Sequence, residues 1–482
     1  MKYKLLTASL LVGLLTPALV SANPEPTSYD ARSIAMGLTG TTYLDGPAAL
    51  ALNPANLEGI EKLGFSFTFT GLFVNQRAPV QGPNTVVDSG LGFGPIPAGF
   101  IAGRIAPRVV FAGGLYIETG YGSDFAGVVC MDGAPVGGPP DYEPNNNTDP
   151  DAGPVCTNPN PQDLAVTFFV GEFAAGFSFR AHEKFILGLA LRLPFAKQTA
   201  DLWQNVGAAL GTAFYGRVKN DLGGIGFPSI RFGFTIKPHR KVRISAMYRM
   251  YSKIKMSGST DTALVPGSDP LTLQSQADWI IPNALQMGIS YQANSHLLLV
   301  FEARLQFHGA DKTGNKDQTV TATDPAGNLP TTTIVVPFGW QNVWSLKLGT
   351  EYRFTKDVLA LRFGVNAAQG ATTPAFAQYF TPPPAPGNVA SVMAGLGFYW
   401  DDRNDPSIKD KYRLDIGGLF AFTNDTIGDD FIGQDQLIPG TDPNDPDNFV
   451  EVCSDEQVVR TGCPGQYRVF SYWASVTFTL QY

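Results

Sequence analysis

"FILGLALRLPF", residues 185–195, alternates without a break. Phe185, Leu187, Leu189, Leu191, Leu193 and Phe195 fall on one side; Ile186, Gly188, Ala190 and Arg192 fall on the other. A period of two is the spacing of a β-strand, not of a helix. Strands of soluble sandwiches usually run about five or six residues. Eleven matches a tilted strand that crosses a bilayer, for which about 9–11 are needed.

The same pattern returns along the chain. "YWASVTFTLQY" (472–482) sets Tyr472, Ala474, Val476, Phe478, Leu480 and Tyr482 against Trp473, Ser475, Thr477, Thr479 and Gln481. "SIRFGFTIK" (229–237) sets Ile230, Phe232, Phe234 and Ile236 against Arg231, Gly233, Thr235 and Lys237. "LLLVFEARLQF" (297–307) sets Leu297, Leu299, Phe301, Ala303, Leu305 and Phe307 against Val300, Glu302, Arg304 and Gln306. In lipid every backbone N–H and C=O needs a partner, so such strands must close into a barrel.

Fourteen strands are read over 63–74, 96–107, 108–119, 164–180, 185–195, 225–237, 241–256, 279–293, 296–308, 338–354, 358–368, 389–401, 412–424 and 467–482. Their connections alternate in length. Short ones such as "AHEK" (181–184), "PHRK" (238–241), "ANS" (293–295) and "TKD" (355–357) are expected on the periplasmic side. Long ones, 75–95, 120–163, 196–224, 257–278, 309–337, 369–388 and 425–466, are expected outside the cell. An even count brings both termini to one side. Aromatic pairs near segment ends, Tyr248/Tyr251, Trp340/Trp344, Tyr399/Trp400 and Tyr472/Trp473, fit interfacial girdles.

Residues 1–22 read as a secretory leader: Lys2 and Lys4, an apolar run from Leu5 to Leu15, and small residues before a cut after Ala22. The formal charge of −8 becomes −10 when the two leader lysines are lost, which argues against nucleic acid. The four cysteines form two local pairs in Pro/Asp/Asn-rich loops, Cys130/Cys156 and Cys453/Cys463. In an oxidising compartment they are expected to staple those loops as disulfides; neither His nor CxxC spacing accompanies them, so no metal is expected. His182, His239 and His296 fall in or beside turns and do not converge with a nucleophile, so no enzyme activity and no cofactor are expected.

Residues 23–61 precede the first strand and hold too few large apolar residues for a core of their own. They are expected to sit inside the barrel as a hatch, the alternative being a loose leader in the periplasm. Gly37, Gly40 and Gly46 permit tight turns, and Pro54 biases Asn53 towards extended geometry.

"SIAMGLTGTTYLDGPAALALNPANL" (33–57), with its Asn53-Pro54-Ala55 triplet, resembles the hatch of the FadL/TodX family of outer-membrane transporters for long-chain fatty acids and other hydrophobic compounds. "IPNALQMGISYQANSHLLLVFEARLQF" and "FGWQNVWSLKLGTEYRFTKDVLALRFGVNAAQGATTP" are similar to that family's hairpins. About half the chain is covered; loops 120–163 and 425–466 depart from the pattern. The resemblance implies a 14-stranded transmembrane barrel with a plug, residues 62–482 forming the barrel. It implies passive uptake by a monomer in the outer membrane of a Gram-negative bacterium, in contact with outer-membrane lipid. It also implies an inward kink in strand three with a side opening; Gly113 and Gly114 are assigned to it, or else are small filler in a Gly-rich wall.

Two further features bear on cargo. The lumen-facing set includes Arg192, Arg231, Arg243, Arg249, Arg304, Lys347 and Arg362 against Glu302 and Glu351. Such a set suits a carboxylate-bearing substrate, or forms an internal salt-bridge network that fills the barrel. In 196–224, Leu202, Trp203, Val206, Leu210 and Phe214 recur at three- or four-residue spacing and predict an amphipathic helix forming an access groove or a lid. The competing functional classes are a general diffusion porin, an open aqueous channel, and a surface receptor or adhesin anchored by a barrel.

Overall fold

The structure is a computed structural model. It describes residues 29–78, 86–128, 142–143, 155–156, 162–205, 215–262, 270–327, 331–354, 358–372, 387–401, 411–427, 438–439, 449–450 and 465–482. The leader lies outside the described residues. So do Cys130, Cys453 and Cys463; of Cys156 only the backbone is described, paired with Tyr142 in a short ribbon.

Fourteen antiparallel staves close into a barrel. They are β1 (Leu63–Ala78), β2 (Val87–Ala106), β3 (Val109–Val128), β4 (Gln162–His182), β5 (Phe185–Asn205), β6 (Tyr215–Ile225 and Ser229–His239) and β7 (Val242–Arg249 and Ser252–Thr262). Then come β8 (Leu271–Ile281 and Ala284–Gln292), β9 (Leu297–Gln306 and Asp317–Thr323), β10 (Thr332–Pro337 and Val343–Arg353), β11 (Leu359–Gln369), β12 (Asn388–Trp400), β13 (Tyr412–Ile427) and β14 (Gly465–Gln481). β1 pairs with β14 from Gly64↔Gln481 to Arg77↔Arg468, so the sheet has no free edge there. No described helix is long and apolar enough to cross a membrane.

Alternation sorts the side chains as the sequence implies. On β1, Phe67 is 57% exposed on the outside, while its neighbour Thr68 is fully buried. Phe65 and Phe69 face out with it; Ser66 and Thr70 face in. Outward phenylalanines and leucines clothe the cylinder, and small or polar residues line it. The expected girdles divide on this rule. Tyr248, Tyr251, Trp344, Trp400 and Tyr472 are exposed, but Trp340 and Tyr399, each 2% exposed, and Trp473 are inside.

The staves run further than the sequence reading placed them. β1 reaches Ala78 and β2 starts at Val87, so the connection expected over 75–95 is largely strand. The region 196–224 differs in kind. Leu202 and Trp203 lie in β5, paired with Val218 and Arg217 of β6, not in a helix. Val206, Leu210 and Phe214 lie outside the described residues. Residues 195–205 find a residue-for-residue partner in 215–225, and a ladder with cross-strand charge pairs, Lys197 with Asp221 and Lys219 with Asp201, outcompetes an isolated short helix.

Five neighbouring staves are interrupted in mid-course: β6 at 226–228, β7 at 250–251, β8 at 282–283, β9 over 307–316 and β10 over 338–342. Pro228 and Pro282 have no N–H to give a ladder. The carbonyls freed at the breaks are taken up from within. Arg192 Nη1 donates to Met250 O at 3.0 Å, and Arg249 Nη2 to Pro282 O at 3.0 Å.

Candidate functional site

Residues 29–60 lie inside the cylinder and are buried almost throughout. α1 (Ala31–Ala35) is capped by Asp30, whose Oδ1 accepts from Ser33 N at 3.1 Å. Burial pushes the Asp30 carboxyl up from its ordinary range, against the pull of Arg413. α2 (Ala49–Leu52) leads to Asn53, which caps a 3-10 turn over Pro54–Gly59. Asn53 Oδ1 accepts from Ala55 N at 3.1 Å, and Asn53 Nδ2 donates to Thr41 O at 2.9 Å. Pro54 occupies the first position of the turn, where an N–H would have no partner.

The wall is shaped to receive this segment. Gly37, at φ +79°, lies against the carbonyls of Leu348 and Val365, beside Gly349 and Gly364 of β10 and β11. A Cβ on Gly349 or Gly364 would run into the backbone of Met36 and Gly37. Gly188 and Gly233 stand likewise under Pro54–Ala55 and Asn53. These inward glycines look like filler in the sequence, and only the buried segment gives them a reason.

Charge then locks the segment in place. Arg32 holds Glu351 of β10 with two bonds, Nε to Oε2 at 2.7 Å and Nη2 to Oε1 at 2.8 Å. Arg362 shares Glu351 at 2.7 Å and reaches Asp415 at 2.8 Å. Arg413 pairs Asp415 at 2.7 Å and returns to Asp30 at 3.5 Å. Lys347 Nζ donates to Leu38 O at 2.9 Å, and Glu302 Oε1 accepts from the N–H groups of Gly40 and Thr42 at 3.0 and 3.2 Å.

A second cluster stands higher. Glu118 of β3 accepts from the Tyr29 hydroxyl at 2.5 Å and is paired with Arg249 and, at 3.4 Å, Arg231. Glu172 of β4 accepts from Tyr116 at 2.6 Å and is paired with Arg192. The predicted cations Arg192, Arg231, Arg249, Arg304, Lys347 and Arg362 all face inward and are buried. Arg192, Arg231, Arg249, Lys347 and Arg362 are bound to wall carboxylates, a wall tyrosine or the inner segment.

The ladder between β2 and β3 stops partway along the two strands. β2 and β3 pair from Ala106↔Val109 up to Ala98↔Tyr116 and then part. Above that point β2 pairs with β1 alone, and β3 with β4 alone. β3 carries a bulge between Ile117 and Thr119, where Glu118 turns inward. Gly113 and Gly114 are not at the irregularity. Both are in register with β2 on one side and β4 on the other. The signal that marks the place is Pro95-Ile96-Pro97 in β2: two imide nitrogens at alternate positions cannot extend a ladder.

Beside the parted strands is a cavity of about 450 Å³. Phe93, Pro95 and Ile96 of β2, Ile117 of β3 and Phe168 and Phe169 of β4 supply its apolar walls. Phe168 continues inward to a cluster of rings, 4.6 Å from Trp279, which meets Trp340 edge-on at 5.6 Å; Phe338 stacks on Trp340 at 5.5 Å. The apolar wall of the cavity is therefore continuous, through Phe168, with this buried ring cluster. Trp279, Phe338 and Phe168 were not singled out from sequence, where they are single aromatics in alternating runs. Among the described residues no group of three or more His, Cys, Asp or Glu is placed to hold a metal.

No family model matches the chain, and no curated protein matches it in sequence. Solved structures do match in fold. The toluene transporter TbuX of Ralstonia pickettii superposes with a TM-score of 0.67 at 16% identity, covering 95% of this chain and 99% of its own. A FadL homologue of Pseudomonas aeruginosa gives 0.64 at 15%, covering 96% and 100%. The toluene transporter TodX of Pseudomonas putida gives 0.64 at 16%, covering 97% and 100%. The chain has the fold of these transporters over nearly its whole length.

Proposed function

We propose that this chain is an outer-membrane channel of the FadL/TodX kind, for passive uptake of hydrophobic small molecules, in which residues 23–61 act as the hatch. The observation that carries the reading is the parting of β2 from β3 above Ala98 and Tyr116, next to an apolar cavity, in a barrel that holds a buried inner segment. A cargo that leaves through the wall stays out of water, gaining roughly 0.8 kcal/mol per CH₂. The parted strands are its side exit into lipid.

The cargo we favour is neutral, of the size of a small aromatic hydrocarbon. A fatty acid needs a cation for its carboxylate, and the inward Arg192, Arg231, Arg249 and Arg362 are already committed to Glu172, Glu118, Glu351 and Asp415. TbuX and TodX are toluene transporters, which supports the same side. A buried inner segment disfavours a general diffusion porin.

The test has two arms. In planar bilayers the channel is expected to conduct ions poorly. In a strain lacking its own hydrocarbon channels, cells carrying it are expected to take up labelled toluene faster than labelled oleate. Porin-like conductance would sink the hatch; preferential oleate uptake would sink the neutral cargo.

A further inference from the structure

The short-turn end of the lumen holds a second cavity, of about 390 Å³, that hydrocarbon uptake does not use. It lies between the inner segment and the ends of β7 to β10. Its lining is charged where the first cavity is greasy. Arg32 comes from the inner segment, Arg240 and Lys241 from the turn before β7, Arg243 from β7 and Arg353 from β10. Against these five cations stand two carboxylates, Asp45 and Glu351. In a chain of formal charge −8 this is a local excess of positive charge.

The two acids do not use up the cations. Glu351 is already clasped by Arg32, Arg353 and Arg362. Asp45 is 3.6 Å from Arg32 Nη1 and 3.8 Å from Arg413 Nη1, and it is half exposed. Arg32 is 4% exposed, yet its Nη1 has no hydrogen-bond acceptor. Arg243 faces the lumen, in register with Ser290, and has neither a hydrogen bond nor an ion pair among the described residues. A buried guanidinium nitrogen without an acceptor costs free energy that an incoming oxyanion removes.

We propose that this cavity is a binding site for a soluble organic anion bearing carboxylate or phosphate groups. Guanidinium forks match such oxyanions with paired N–H donors. The volume lies in the range of small-molecule sites, roughly 300–1,000 Å³, and exceeds what a bare inorganic ion fills. The walls are inward strand faces and the inner segment, so the anion arrives in water from the short-turn end and not as a lipid headgroup. The proposal stands independently of the cargo assigned to the other cavity.

The test is titration calorimetry on the full mature chain in non-ionic detergent at low salt, with citrate and inorganic phosphate as probes. Citrate is expected to bind saturably, one per barrel, and at least tenfold more weakly in 0.3 M NaCl, since screening shortens the reach of the field. The double variant Arg240→Ala/Arg243→Ala is expected to lose at least tenfold in affinity. Neither residue ties the inner segment to the wall, so heat-modifiable gel mobility should stay that of the intact barrel. Absence of saturable citrate binding, binding of phosphate alone, or equal affinity in the double variant overturns the proposal.

Discussion

The Tyr29 hydroxyl, on the segment inside the barrel, donates to Glu118 Oε2 at the bulge of β3 over 2.5 Å. The same carboxylate is paired with Arg249 and Arg231 from the wall across the lumen. One acid therefore joins the inner segment, the far wall and the strand that parts from its neighbour. Glu118→Ala leaves buried guanidiniums without a carboxylate, an effect of about 3–5 kcal/mol. Tyr29→Phe removes a single bond to a charged group, about 1.5–3 kcal/mol. Denaturant unfolding in detergent should rank Glu118→Ala well below Tyr29→Phe; the reverse order would show that Glu118 is not the junction.

The close approach of Gly37 to Gly349 and Gly364 predicts a leak. A Cβ at Gly364 has backbone, not a flexible side chain, in its way. Gly364→Val should push the inner segment aside and raise single-channel conductance several-fold. Gly99→Ala, where a Cβ meets nothing within 4 Å, should leave conductance unchanged. Equal conductance in both variants would mean that the segment does not block the lumen.

If the parted strands are the exit, restoring ladder donors should close it. Pro95→Val with Pro97→Val supplies two N–H groups on β2 where β3 has departed. Uptake of labelled toluene is expected to fall at least tenfold. Gly113→Ala should change uptake less than twofold, because Gly113 sits in unbroken pairing and its Cβ would meet only the Ala174 carbonyl, 3.8 Å away. Undiminished uptake in the double proline variant would rule out this side path.

Trp340 is 2% exposed and touches Trp279, Phe338 and His308. Trp340→Ala should cost about 3–5 kcal/mol of stability, as large-to-small changes of buried aromatics do. It should also open space in the ring cluster behind the cavity, so toluene uptake per folded barrel should rise. A variant as stable as the parent would mean that Trp340 lies on the surface.

The wall was legible in the order of residues. Period-two alternation over lengths that cross a bilayer tells which residue faces lipid and which faces inward, because lipid accepts apolar side chains and no unpaired backbone. Fourteen staves, the short turns between them and the inward set Arg192, Arg231, Arg249, Arg304, Lys347 and Arg362 were legible on that ground alone. Where side chains from distant positions meet emerged from the folded packing alone. Tyr29 and Glu118 are 89 residues apart, and Arg32 and Glu351 are 319 apart; no local pattern encodes either pair. The same holds for strand three. Gly113-Gly114 is the more flexible stretch, but the bulge formed at Glu118, where a buried acid has cations to reach and Pro95 and Pro97 have left the neighbouring strand without donors. Likewise "ADLWQN" alone is compatible with a helix, and it became strand because residues 215–225 offered it a complete ladder. Local spacing sets which face a residue takes; non-local partners set what that face does.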